Sequence, residues 1–190
     1  MLDDEDPGWP LGKALILSLL PWVAVMLLRR QTGKACDGLI LLRQVFLAFL
    51  TAILLFGVVL LALWPAQSTA DPSPTLALVL IGLGVSSAVV QRFVEKPLDC
   101  TDDVKLADSY RTRFFLRIAM SEAAALFGFV GFFTASVWWV YPVGAAIALV
   151  GFARAAPTRR HLHRDQERLT EQSCFRSLLR ALRTAPPAAR

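Results

Sequence analysis

The stretch whose reading decides the fold is Arg111-Thr112-Arg113-Phe114-Phe115-Leu116-Arg117-Ile118-Ala119-Met120-Ser121-Glu122-Ala123-Ala124-Ala125-Leu126-Phe127-Gly128-Phe129-Val130-Gly131-Phe132-Phe133. From Phe114 to Phe133 it is apolar over about 20 residues, which at ~1.5 Å per residue matches the hydrocarbon core of a bilayer. One carboxylate, Glu122, stands near its middle. A charge at that depth costs about 2.5–3.5 kcal/mol on insertion scales. Desolvation penalises the anion, so Glu122 is expected to hold its proton. Its functional reading is a proton or cation site. Its structural reading is a neutral acid that hydrogen-bonds a neighbouring helix. Intramembrane acids are functional candidates by default.

The rest of the chain extends the membrane reading. Its 190 residues are 55% hydrophobic, more apolar surface than a water-soluble fold can cover. Five apolar windows predict an all-α, polytopic transmembrane bundle with spans at about 11–28, 44–64, 75–91, 114–133 and 137–153. The first and last are short and contain Pro21 and Pro142, so four full spans is the fallback. Residues 1–10 form an acidic N-terminus, 11–153 the bundle, and 154–190 a basic tail. The opening Met1-Leu2-Asp3-Asp4-Glu5-Asp6 is acidic where a secretory signal is basic, so none is expected. No separate water-soluble domain is expected.

Basic residues lie on alternate connections. Arg29, Arg30, Lys34 and Arg43 follow the first span, Arg92, Lys96, Lys105, Arg111 and Arg113 lie between the third and fourth, and the tail is densely basic. The connections at 65–74 and 134–136 carry no base. The positive-inside rule then puts the N-terminus outside and the C-terminus in the cytoplasm, as a multi-pass protein of the cell (inner) membrane. Cys36, Cys100 and Cys174 all fall on that predicted cytoplasmic side, where thiols are expected to stay reduced. No cysteine or histidine spacing suggests a metal, and no cofactor is expected. His161 and His163 read as a solvated pair.

Trp9 and Trp64 read as interfacial anchors, and Trp138, Trp139 and Tyr141 as an aromatic belt at the outer start of the last span. In the third span Gly82, Gly84, Ser86 and Ala88 reduce side-chain bulk, so neighbouring backbones are expected to approach closely. In the fourth, Ser121, Ala124, Gly128 and Gly131 share about one quadrant, whereas Glu122 shares its side with Phe115, Ile118, Ala125 and Phe129. Arg117 is five positions from Glu122, not the three or four that face each other on a helix, and is expected to snorkel to the headgroups. A faint repeat sets Thr51-Ala52-Ile53-Leu54-Leu55-Phe56-Gly57 on Glu122-Ala123-Ala124-Ala125-Leu126-Phe127-Gly128, so that Thr51 stands where Glu122 does. Thr51, Ser121 and Arg117 are the candidate supporting residues.

The tail from Thr158 to Arg183 predicts one amphipathic helix, with Phe175, Leu178, Leu179 and Leu182 at i, i+3, i+4, i+7. Such a basic helix is expected to lie on anionic headgroups or dock a cytoplasmic protein, through Arg159, Arg160, Arg176, Arg180 and Arg183. No nucleic-acid platform accompanies the charge. The last residues, Ala185 to Arg190, are expected to be disordered.

The hairpin from Thr75 to Phe133 resembles the proteolipid c subunit of rotary ATP synthases. Gly82, Gly84, Ser86 and Ala88 resemble its small-residue ladder, and Phe93-Val94-Glu95 the cytoplasmic end of its ladder helix. Arg111-Thr112-Arg113-Phe114-Phe115 followed by Glu122-Ala123 resembles the start of its second helix and the carboxylate. The resemblance implies that Glu122 carries a proton within a homo-oligomer or larger proton-driven complex. The chain departs from the pattern in having Glu95-Lys96-Pro97 for the loop motif, a base at Arg117, extra spans and a basic tail. The alternative function is a membrane scaffold or regulatory subunit. No enzyme constellation is present: no phosphate-binding glycine loop, nucleophile–base pair or zinc spacing.

Overall fold

A computed structural model describes residues 38–67, 71–94 and 97–184. The described residues are helical, with no strand among them. Six helices follow in order: α1 Gly38–Gln67, α2 Pro74–Val94, α3 Asp103–Ala135, α4 Val140–Ala155, α5 Arg159–Glu171 and α6 Leu178–Thr184. Three of them are long and apolar enough to cross a membrane, through Gly38–Trp64, Pro74–Gln91 and Asp103–Ala135. A fourth is reached if α4 and α5 together make one broken span. At 16 residues α4 is about 24 Å long by itself, short of a ~30 Å hydrocarbon core. The first window, Trp9, Arg29, Arg30, Lys34, Cys36, Glu95, Lys96 and the residues from Ala185 lie outside the described residues.

Local sequence sets the helix ends. Pro74 occupies the first helical position of α2, where its missing N–H costs nothing. Asp102 caps α3, its carboxylate accepting from the Lys105 amide at 2.7 Å. Asp103 then places a negative charge at the positive end of the helix dipole. Ser136, at φ 53°, takes the left-handed conformation that stops α3. Pro157 ends α4 by pushing the residue before it out of helical geometry.

The chain divides into two compact units, to each of which α1 and α3 contribute a segment. The described parts of the first are 38–48, 97–114 and 156–184; those of the second are 49–67, 71–94 and 115–155.

The second unit is a helix bundle closed by small residues. Gly84 of α2 lies against Ala124 of α3, so near that a Cβ on it would stand 3.2 Å from the Ala124 Cα. The Ser87 hydroxyl donates to the Met120 carbonyl at 3.1 Å across the same contact. Gly128 of α3 and Gly144 of α4 meet backbone to backbone, and Gly151 sits on the Ser121 hydroxyl. Gly82 has nothing within 4 Å of its Cβ position. Ser86 is exposed and bonds Leu83 of its own helix. This corrects the expectation that residues 82, 84, 86 and 88 form one packing ladder. A period of two walks around a helix, whereas Ala77, Gly84 and Ser87 keep the ~3.6-residue period and share the inward face.

Tyr141 is likewise buried rather than part of an interfacial belt. Its hydroxyl donates to the Ile53 carbonyl of α1, and Gly57 leaves room for its ring. Phe56 packs on Phe129 with ring centroids 5.1 Å apart, and Trp64 on Trp138 at 6.1 Å.

The first unit replaces the expected bare tail. Its predicted single helix is two, α5 and α6, joined by a turn and packed on each other. Thr158 caps α5, accepting from the His161 amide. At the other end Cys174 N–H donates to Leu169 O at 2.9 Å and Ser173 N–H to Thr170 O at 3.0 Å. Ser173, at φ 62°, supplies the left-handed residue of this Schellman stop. The break shifts the apolar phase: Leu162, Leu169, Leu178 and Leu182 are buried, while Phe175 is 89% exposed. The leucines expected to face lipid are thus spent on internal packing. Fully buried Arg43 of α1 donates through Nε to the Pro157 carbonyl at 3.3 Å, which anchors the break between α4 and α5.

The expectation of reduced thiols is also corrected, since Cys100 and Cys174 form a disulfide with Cα atoms 6.1 Å apart. Folding brings the turn after α5 back to the loop before α3. Beside the disulfide, Arg176 pairs with Asp103 at 2.7 Å and donates to the Thr101 carbonyl at 3.1 Å. A sequence separation of 74 residues leaves no local signal for such a pairing.

That loop carries its own carboxylate turn. Asp99 accepts from the Thr101 hydroxyl and from the Thr101 amide at 2.9 Å. These bonds, the hydroxyl first, hold its carboxyl below the usual value of 3.8. A lowered folded-state value stabilises the turn above the usual carboxylate range, and the gain is lost as pH falls through it. Thr101→Val is expected to move the Asp99 titration up toward its usual value, so that acid loosens the turn at a higher pH. A carboxyl NMR titration checks this.

Candidate proton site on α3

Helical geometry sorts α3 into two faces. The small residues Ser121, Ala124, Gly128 and Gly131 are buried, and they are the ones that meet α2 and α4. Glu122 is half-buried and lies about 100° round from Ser121. Within about 20–40° of Glu122 stand Phe115, Leu126 and Phe133, which are 45%, 42% and 38% exposed. On its other flank Ile118 and Ala125 are fully buried. The acid therefore sits on the margin of an exposed apolar stripe, with packed hydrocarbon on one side and the protein's surface on the other.

No hydrogen bond or ion pair joins Glu122 to Arg117 among the described residues. Arg117 projects about 140° away, and its carbonyl accepts the Ser121 hydroxyl at 2.7 Å. That bond turns Ser121 along its own helix, and Gly151 covers it. Thr51 is half-buried on α1. The geometry provides one protonatable oxygen pair at mid-helix, flanked by aliphatic and aromatic side chains. No group of histidine, cysteine or acidic residues that could hold a metal occurs among the described residues.

The basic positions expected to bind lipid or a partner separate. Arg159, Arg160 and Arg180 are exposed, Arg183 is half-buried, and Arg176 is engaged with Asp103. Between α5 and α6 lies a groove of about 400 Å³ lined in part by Arg159, His163, Gln166, Phe175 and Leu179. Gln166 holds its floor, donating to the Arg176 carbonyl at 2.9 Å and accepting from the Leu178 amide at 2.7 Å. Sequence reasoning missed the disulfide, the Arg43 anchor and the buried role of Tyr141. Only the Gly57–Tyr141 fit had a sequence signal, a glycine in an otherwise bulky helix.

Comparison with known proteins finds no family model, curated protein or solved structure that matches this chain.

Proposed function

We propose that this chain is a membrane subunit that handles protons through Glu122, within a larger proton-driven complex. The observation that supports it most is the placement of Glu122: half-buried, at mid-helix, on the margin of an exposed apolar stripe. A structural acid is expected to be turned toward a donor on a packed face, yet the packed face of α3 is made of small residues. The resemblance of the hairpin to proteolipid c subunits adds the same reading.

With the window at 11–28 counted, the chain has up to five spans. The basic connections place residues 97–114 and the tail on the cytoplasmic side of the cell membrane. Labelling with an apolar carbodiimide tests the proton site. Glu122 is expected to be modified, with reaction falling as pH rises and the acid ionises. Absence of labelling, or labelling undiminished in Glu122→Gln, sinks the reading.

The alternative, a scaffold that recruits anionic lipid or a cytoplasmic protein, draws on the groove between α5 and α6 and its exposed Phe175.

A further inference from the structure

The disulfide stands in a setting where it is not expected to be permanent. Cys100 lies in the irregular loop before α3, and Cys174 is delivered by the Schellman turn that ends α5. The connection that holds Cys100 carries Arg92, Lys96, Lys105, Arg111 and Arg113, and the tail that holds Cys174 is densely basic, the mark of a cytoplasmic end. There a disulfide is ordinarily transient, catalytic or redox-sensing. Beside it, Arg176 reaches from the turn to Asp103 and to the Thr101 carbonyl. Both ion-pair partners are more than 40% exposed, so this pair gives a weak hold.

We propose that Cys100 and Cys174 are a reversible redox pair that fastens the loop before α3 to the tail, with a cellular dithiol as its reductant. Cys100 is the more exposed of the two, and Cys174 is buried. A thiolate of the dithiol attacks the Cys100 sulfur and expels Cys174 as a thiolate, which takes up a proton. The second sulfur of the dithiol then attacks the sulfur bound to Cys100 and expels the Cys100 thiolate, which takes up the second proton. Two electrons pass to the protein, and the dithiol leaves as a disulfide. The turn beyond Cys174 keeps its Gln166 bonds, so the part released is the loop at 97–102.

This inference rests on the cytoplasmic orientation proposed above, and the test separates the two. In intact cells, the accessibility of Cys100 and Cys174 to membrane-permeant and impermeant maleimides is measured in Cys36→Ser protein, before and after a thiol oxidant. The expected result is protection from the impermeant reagent and mostly free thiols in untreated cells. The oxidant should convert them to the disulfide, and its removal should reverse this. In full-length purified protein, reduction by a dithiol should then speed amide exchange across 97–102 by at least tenfold, as should Cys100→Ser without reductant. Labelling by the impermeant maleimide, either directly or after treatment of the cells with a membrane-impermeant reductant, overturns both the orientation and the switch. Protected residues that stay cross-linked in untreated cells, fail to cross-link on oxidation, or leave exchange unchanged overturn the switch alone.

Discussion

Glu122→Gln is expected to reduce proton uptake by membranes containing the assembled complex to background, with helical content and expression unchanged. Glutamine keeps the size and hydrogen-bonding capacity of a protonated glutamic acid but cannot release a proton, so only the chemistry is removed. The companion change Glu122→Leu separates function from structure. A polar acid beside Phe115, Leu126 and Phe133 is a burden on the fold. Replacing it with leucine is expected to stabilise the protein by on the order of 2 kcal/mol while leaving it inactive. If Glu122 instead ties the bundle together, Glu122→Leu lowers stability and Glu122→Gln leaves proton uptake intact. Thermal unfolding in detergent beside a proton-uptake assay distinguishes the outcomes.

The second large effect concerns two glycines that look alike in sequence. Gly144→Ala adds a methyl that would stand 3.1 Å from the Gly128 Cα and closer still to the Ala124 carbonyl. These neighbours are backbone and have no rotamer by which to yield, so α3 and α4 must move apart. Overpacking of this kind costs about 1–3 kcal/mol, and the upper end is expected here. Gly82→Ala adds the same methyl where nothing lies within 4 Å. Relief of the glycine's backbone entropy should make it stabilising by about 0.5–1 kcal/mol. Equal signs for the two, measured by denaturant titration in micelles, would contradict the packing described for the second unit.

Much of the bundle was legible because helix length and apolar content are local. The windows at 44–64, 75–91 and 114–133 correspond to α1, α2 and α3, each helix extending beyond its window. Asp103 to Arg113 belong to α3 although their polar side chains leave them outside the 114–133 window. The tail was misread for a related reason. A periodicity count puts Phe175 on one face with Leu178, Leu179 and Leu182, but the left-handed Ser173 ends α5, α6 begins only at Leu178, and Phe175 is left outside. Serine tolerates that conformation without announcing it, as glycine would have done.

For this protein the sequence alone settles the helical class, the three long apolar helices α1, α2 and α3 and the single acid within the 114–133 window, since each depends on neighbours along one helix. It also settles the side of α3 on which Glu122 lies, because a fixed turn per residue relates it to Ser121, Gly128 and Gly131. Which glycines touch a neighbour, that Tyr141 is buried against α1, and that Cys100 meets Cys174 were decided by tertiary structure. Those outcomes depend on how segments far apart in the chain approach one another, and residue spacing within one segment carries no record of that distance.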